Sequence, residues 1–258
     1  MNQILSATSG PIGTLTFNNP ERHNAMSLDM WRAAAAGLEN FERDPGVRVI
    51  VLTGAGGKAF VSGADISKFE DERATLEAVA EYNASVDRFS QTLLGGNKPT
   101  IAMIRGYCVG GGVGIAVCCD LRIANDAARF AVPAARLGLG YGYENVRRIV
   151  EVTGPAFATE MLLTARQFDA AEAARAGLVN RVAPDADIDR TVRELAETIA
   201  GNAPLTIQAV KRILRELRSP GPDVAACDAL VKRCFESADY REGRSAFMEK
   251  RKPVFRGI

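Results

Sequence analysis

Lys98–Asp120 reads KPTIAMIRGYCVGGGVGIAVCCD. Thr100–Ile104 is a short apolar run of strand type, and Arg105-Gly106 offers a tight turn after it. Gly110-Gly111-Gly112 then opens an apolar run ending near Asp120. Residues without side chains at a helix start leave backbone N–H groups exposed, and the helix dipole favours negative charge there. The stretch therefore suits an oxyanion. It also lacks any carboxylate between Lys98 and Asp120.

Working outward, the same logic recurs. Val47–Thr53 is a buried-strand pattern that runs into the Gly/Ala-rich loop Gly54–Asp65, after which Thr75–Leu93 reads as a long amphipathic helix. Its apolar stripe is Leu76, Val79, Tyr82, Val86, Phe89 and Leu93. Before it, Ile4–Ala7 and Gly13–Phe17 flank a turn at Ser9-Gly10-Pro11, and Ser27 caps a helix stopped by Asp44-Pro45-Gly46. After it come strand-like runs at Leu121–Ala124, Ala128–Val132 and Leu178–Val182, with helical runs at Ala156–Thr164 and Ala170–Ala176. The alternation predicts an α/β protein built from recurring strand–strand–helix units. From Asp187 onward three further helices are predicted, Asp187–Ala200, Leu205–Leu217 and Val224–Ser237, followed by a basic tail at Arg244–Lys252. The expected division is a core over 1–200 and a helical region over 201–258.

Composition removes whole function classes. A chain of 258 residues with 47% hydrophobic and 24% charged residues has the make-up of an ordinary globular protein. A net charge of +1 gives no electrostatic footprint for nucleic acid or an anionic membrane. No apolar run reaches the roughly 18 residues of a membrane span, and the first residues lack the pattern of a signal peptide. The five cysteines form no zinc spacing or disulfide framework, which predicts reduced thiols and a cytoplasmic location. With one histidine, His23, a multi-histidine metal site is impossible.

Gly54-Ala-Gly56-Gly-Lys-Ala59 matches a dinucleotide fingerprint in form only, because Phe60-Val61 follows where a helix must continue. Ser62-Gly63-Ala64-Asp65-Ile66 is a better anion site: a small-residue turn leads into a helical stretch, aiming the Ala64 amide at a ligand. Paired with Gly110–Gly112, it makes two convergent amide donors. That is the design of an oxyanion hole, where one donor is typically worth about 3–4 kcal/mol.

At these residues the chain resembles the crotonase superfamily, the enoyl-CoA hydratase/isomerase family. The resemblance rests on Asn19–Ala25, Ala59–Ile66, Lys98-Pro99 with Gly106–Asp120, Leu137-Gly138, Ala170–Val182 and Phe247–Phe255, and covers nearly the whole chain. It implies a spiral of ββα turns followed by helices that build a homo-trimer, often paired into a hexamer. It implies an acyl-CoA substrate, with coenzyme A as part of the substrate and no separate cofactor. The oxyanion amides would be those of Ala64 and Gly111, holding a thioester oxygen as it becomes an enolate. Arg22, His23, Ala25, Ser62, Gly63, Asp65, Ile66 and Gly110 would lie along the substrate, and Lys250 of a neighbouring subunit would meet its phosphate.

The departures from the family pattern bear on the reaction. Hydratases of the family use two glutamates, one two residues after the glycine triplet and one just after Pro133. This chain has Gly114 and Ala134 there. Each general acid or base is typically worth about 10²–10⁴-fold. The family's double-bond isomerases keep their base at the Ala134 position as well. Tyr141 and Glu144 are the nearby candidates, and Tyr141 matches a tyrosine of the family's methylmalonyl-CoA decarboxylase, which has a histidine where Ala64 stands. Decarboxylation starts without a base, so it is favoured over efficient hydration. The alternatives are a non-catalytic acyl-CoA-binding protein and a hydratase or isomerase working through Glu144 or Tyr141.

Overall fold

The computed structural model describes residues 3–68 and 74–258. Its repeating unit is two strands and a helix. Strands β1 (Ile4–Ser9) and β2 (Ile12–Phe17) form an antiparallel hairpin and lead into α1 (Leu28–Arg43). Then come β3 (Val49–Gly54), β4 (Ala59–Val61) and α2 (Leu76–Gly95). The next turn is β5 (Thr100–Ile104), β6 (Tyr107–Val109) and α3 (Gly111–Cys118). The last is β7 (Leu121–Asn125), β8 (Arg129–Ala131) and α4 (Tyr143–Thr164).

In each of the last three turns the first strand joins one sheet and the second joins another. A six-stranded sheet runs β1-β2-β3-β5-β7-β10 and a four-stranded sheet β4-β6-β8-β9, where β9 is Phe168–Asp169 and β10 is Arg181–Ala183. Pairing is parallel from β2 to β3, β5, β7 and β10, and from β4 to β6 and β8, so the chain advances one ladder per turn. Parallel neighbours need long crossovers, and the second strand with its helix supplies each one. Gly106 makes the corner between β5 and β6. It sits at φ +61, and a Cβ there would meet the Lys58 carbonyl oxygen at 2.0 Å, so only glycine fits.

The main core lies between the two sheets and α1–α4, with Phe17, Phe60, Phe89, Phe130 and Phe168 fully buried. A smaller core on the other face of the large sheet packs Val49, Val51, Ile101 and Ile123 against α6 (Ile188–Ala200). Short helix α5 (Ala170–Arg175) carries a capping box between Asp169 and Glu172. Helices α7 (Pro204–Glu216), α8 (Val224–Glu236) and α9 (Ala238–Met248) close the chain.

The Ser27 cap is present, its side chain accepting from the Met30 amide. Several boundaries differ from the sequence reading. The stretches 54–65 and 105–110 are not plain loops: each contains a three-residue strand, β4 and β6. These are too short to show period-two alternation. Leu76 is 85% exposed and off the buried stripe, because it stands in the first turn of α2, ahead of the part that packs on α1. Helix α4 begins at Tyr143, not Ala156. Gly154 (φ +77) and Pro155 kink it midway and hid its first half. The strand expected at Leu178–Val182 forms at Arg181–Ala183, after Leu178 and Val179 turn into the core.

Gly112 shows how tightly α3 seats on β4. A Cβ there would lie 2.1 Å from the Val61 carbonyl oxygen, and backbone cannot yield as a side chain can. Gly112→Ala is expected to cost about 1–3 kcal/mol of stability, the usual range for overpacking. Urea unfolding of the two proteins checks it.

Candidate active site

Two chain segments build the floor of the main cavity, and each orients one amide. Met26 and Ala64 form an isolated parallel bridge in which the Met26 N–H donates to Gly63 O at 2.8 Å and the Asp65 N–H to Met26 O at 2.9 Å. In a parallel bridge the bonds go to the flanking residues, so the N–H of Ala64 faces away from Met26. Ala64 lines the cavity. On the other segment Gly110 donates to Ala131 O at 2.8 Å, and the first intrahelical bond of α3 runs from Gly114 N–H to Gly110 O. The Gly111 amide belongs to the helix's first turn and has no intrahelical partner.

The two segments approach closely. A Cβ on Gly111 would lie 3.8 Å from Gly63 Cα, and a Cβ on Gly63 would lie 3.9 Å from Gly111 N. Gly63 is at φ +106 and Gly110 at φ +54, so both turns use backbone that L side chains rarely adopt. Trp31 packs behind, its Cζ2 3.5 Å from where a Gly111 Cβ would stand. Its indole N–H donates to Tyr82 Oη at 2.8 Å, and the Tyr82 hydroxyl donates to Met26 O at 3.3 Å. The Trp31–Tyr82–Met26 chain ties α1 and α2 to the Ala64 segment.

The cavity over this floor is about 680 Å³. Ser62, Gly63, Ala64, Ile66, Gly110, Gly111, Tyr141 and Glu144 all line it. Arg22, His23, Ala25 and Asp65 do not; they form a bracket beneath the Ser62–Ile66 turn. Asp65 is buried and accepts from the Ser67 hydroxyl at 2.6 Å, the Ser67 amide at 3.1 Å and Arg22 at 3.2 Å. Burial pushes its carboxyl up, but the Ser67 bonds and the Arg22 charge hold it below the usual range. His23 and Asn24 both adopt left-handed backbone, φ 52 and 58. The buried Asn24 side chain fixes that turn by donating to Ala59 O at 2.8 Å and Ala55 O at 3.0 Å. The His23 carbonyl then accepts from the Ser62 amide, so the Asn19–Ala25 run aims the Ala64 turn. Lys250 follows the end of α9 and is not part of the cavity wall.

Tyr141 stands beside Gly114. A Cβ on Gly114 would lie 3.9 Å from Tyr141 Oη. The ring is half-buried against the core. Burial raises the phenol's pKa, and the neighbouring Cys118 and Cys108 thiols add to this, while the Arg148 charge pulls it down. Glu144 stands in the first turn of α4 and not on a loop. Its carboxylate takes two bonds from Arg147, at 2.7 and 3.2 Å, with Arg148 at 4.0 Å. Those bonds hold its pKa below the ordinary value, so Glu144 stays ionised at neutral pH.

Sequence reasoning missed the wall opposite Tyr141. Tyr82, Asn83, Val86 and Asp87 of α2 also line the cavity. Asp87 is exposed and makes no ion pair with a described residue. The signal was present: Asn83 and Asp87 lie one turn apart at the edge of the α2 apolar stripe. Among the described residues no lysine, arginine or histidine lines the cavity, and no cluster of metal-ligating side chains occurs.

Comparison with known proteins identifies this arrangement. The sequence profile described as Enoyl-CoA hydratase/isomerase matches residues 7–257. The chain belongs to the enoyl-CoA hydratase/isomerase family. A relative of this family, the short-chain-enoyl-CoA hydratase of Clostridium acetobutylicum, is 33% identical over 98% of this chain and 97% of its own. The carnitinyl-CoA dehydratase of Salmonella typhi is 34% identical over the full length of both. A solved structure of an enoyl-CoA hydratase/carnithine racemase from Magnetospirillum magneticum superposes with a TM-score of 0.96 at 40% identity, covering 100% of this chain and 97% of that one. The chain is therefore a crotonase-fold enzyme of the acyl-CoA class.

The raised Tyr141 phenol gives a direct check. Ordinary tyrosines ionise near pH 10. Between pH 10 and 11 Tyr141 is expected to remain protonated, so the tyrosinate absorbance step of Tyr141→Phe should equal that of the wild-type protein. A smaller step in the variant means Tyr141 ionises normally.

Proposed function

We propose that this family member forms and protonates a thioester enolate, with Tyr141 as proton donor, and that decarboxylation of a 2-carboxyacyl-CoA is its best-supported reaction. The observation that carries the proposal is the Tyr141 hydroxyl beside Gly114, with glycine and alanine at both positions where the family's hydratases keep glutamates. In this reaction the bond from Cα to the carboxylate carbon breaks and CO₂ leaves. The electron pair moves into the enolate, whose oxygen rests between the amides of Ala64 and Gly111. Tyr141 O–H gives its proton to Cα, and the tyrosinate recovers one from solvent through the open mouth. A raised phenol pKa suits this order of events. The group stays protonated until the enolate, a far stronger base, is formed.

Asp87 favours a second reading. It is a carboxylate on the cavity wall without an ion-pair partner among the described residues, and base-assisted hydration with Asp87 in place of the missing glutamates would use it. The homo-trimer or hexamer expected of the family is a further part of the proposal. Leu214 and Leu217 at the end of α7, Phe235 on α8, and Phe247 and Met248 on α9 are all at least half exposed. Subunit packing would cover such side chains.

The two readings separate by substrate. With malonyl-type CoA esters, Tyr141→Phe is expected to lower the rate of CO₂ release by about 10²–10⁴-fold, and Asp87→Asn to leave it nearly unchanged. With crotonyl-CoA, loss of the conjugated thioester absorbance is expected to be slow. Rapid hydration that Asp87→Asn abolishes establishes the second reading instead. Binding of both esters without turnover makes the chain a non-catalytic acyl-CoA-binding protein.

A further inference from the structure

Between the start of the large sheet and the C-terminal helices lies a second cavity of about 290 Å³, sharing no wall residue with the first. Four of its wall residues are cations, Arg48, Lys98, Arg233 and Arg256, and no carboxylate lines it among the described residues. Arg48 donates to two neutral acceptors, Ala200 O at 3.1 Å and Phe255 O at 2.6 Å. The Lys98 ammonium likewise donates to the carbonyls of Phe41 and Asp44. Carbonyls satisfy these donors without carrying a full negative charge. Burial lowers the Lys98 pKa, against the pull of Glu42 and Asp44.

The nearby acids are committed elsewhere. Glu42 accepts from the amides of Asn97 and Lys98. Glu242, whose charge reaches Arg256, is held by Arg251 and the Val254 amide. Asp239 accepts from the amides of Arg256 and Gly257. Arg233 and Arg256 make no ion pair with a described residue. Helix α7 also begins here, with no side-chain cap and no acid in its first turn. Four like charges around one concave space repel each other unless an anion joins them.

We propose that this cavity binds a small phosphate-bearing anion, which links the chain's tail, α7 and α8 to the first residues of the sheet. The volume is at the low end for ligand pockets, about 300 Å³, and fits one or two phosphate groups. The cations lie on segments far apart in sequence, so the anion joins the C-terminal helices to the core. Arg48 already links Ala200 to Phe255 across the same space.

The test titrates the full-length protein with pyrophosphate, replacing sodium chloride so that ionic strength stays constant. Calorimetry is expected to show saturable binding to one site per chain, with a rise in Tm. Arg233→Gln/Arg256→Gln, both at exposed positions, is expected to weaken binding at least about tenfold. Arg241→Gln/Arg244→Gln, an equal loss of charge outside the cavity wall, is expected to leave it intact. ADP binding as well as pyrophosphate assigns the site to phosphate esters, and exclusion of ADP assigns it to the free anion. The proposal is overturned by non-saturable binding or by equal loss in the two double variants.

Discussion

The close approach of the Gly63 and Gly110–Gly111 backbones is the constraint on which the site depends. Two turns from successive spiral units come close enough that a Cβ on Gly110 or Gly111 would stand 3.7 or 3.8 Å from Gly63 Cα, and Gly63 and Gly110 hold positive φ that side chains rarely adopt. Everything around this approach keeps it in register. β4 and β6 run parallel and deliver the two turns to the same end of their sheet. Gly106 sets the corner into β6, and Gly112 lets α3 rest on the Val61 carbonyl. The left-handed pair His23-Asn24 holds the Ala64 turn from below. The amides are thus fixed by backbone geometry before any substrate arrives, which is what makes an oxyanion hole effective.

Helix α3 is arranged to leave its N-terminal end available. It contains no charged residue, and its six buried members leave its ends as the only polar parts. The far end is closed by Arg122, a buried guanidinium that donates to Cys119 O at 2.6 Å, and also to Leu178 O at 2.8 Å. A cation at a helix C-terminus complements the dipole. Burial lowers the Arg122 pKa, yet a guanidinium remains charged at any physiological pH. With the C-terminal partial charge matched inside the protein, the unmatched partial charge of α3 faces the cavity.

The sequence was most legible where a local rule acts alone. The Ser27 cap, the Asp44-Pro45-Gly46 stop and the Thr100–Ile104 strand each follow from a few adjacent residues, and the structure holds all three. Strands β4 and β6 escaped because three residues show no period. Tertiary pairing, and not propensity, makes them strands. The first half of α4 escaped because the Gly154-Pro155 break reads as a boundary when it is a kink. In the site, glycine-rich turns were visible because only glycine meets their backbone demands. The α2 wall was not, because Asn83 and Asp87 look like any solvated face until the fold sets a cavity beside them.

The exchange at Gly114 links the fold's rigidity to its chemistry. Helix α3 is closely seated, with Gly112 against the Val61 carbonyl of β4 and Arg122 bonded at its end. A side chain at position 114 would therefore project to a fixed place beside the Gly111 amide. Here that place is filled from the other direction, by Tyr141 reaching in from the loop before α4. The two arrangements differ in charge. A carboxylate there is negative at neutral pH, costs desolvation when buried, and suits activation of water. A phenol held protonated is neutral, offers one proton, and adds no repulsion to an enolate or a substrate carboxylate. Ala134 brings no charge to the cavity wall, and Glu144 there is paired with Arg147. Asp87 is left as the single unpaired carboxylate among the described wall residues, on the opposite side. Under the proposed function, the same spiral scaffold would keep the means to hold an enolate oxygen while changing which group stands ready to exchange a proton with its carbon.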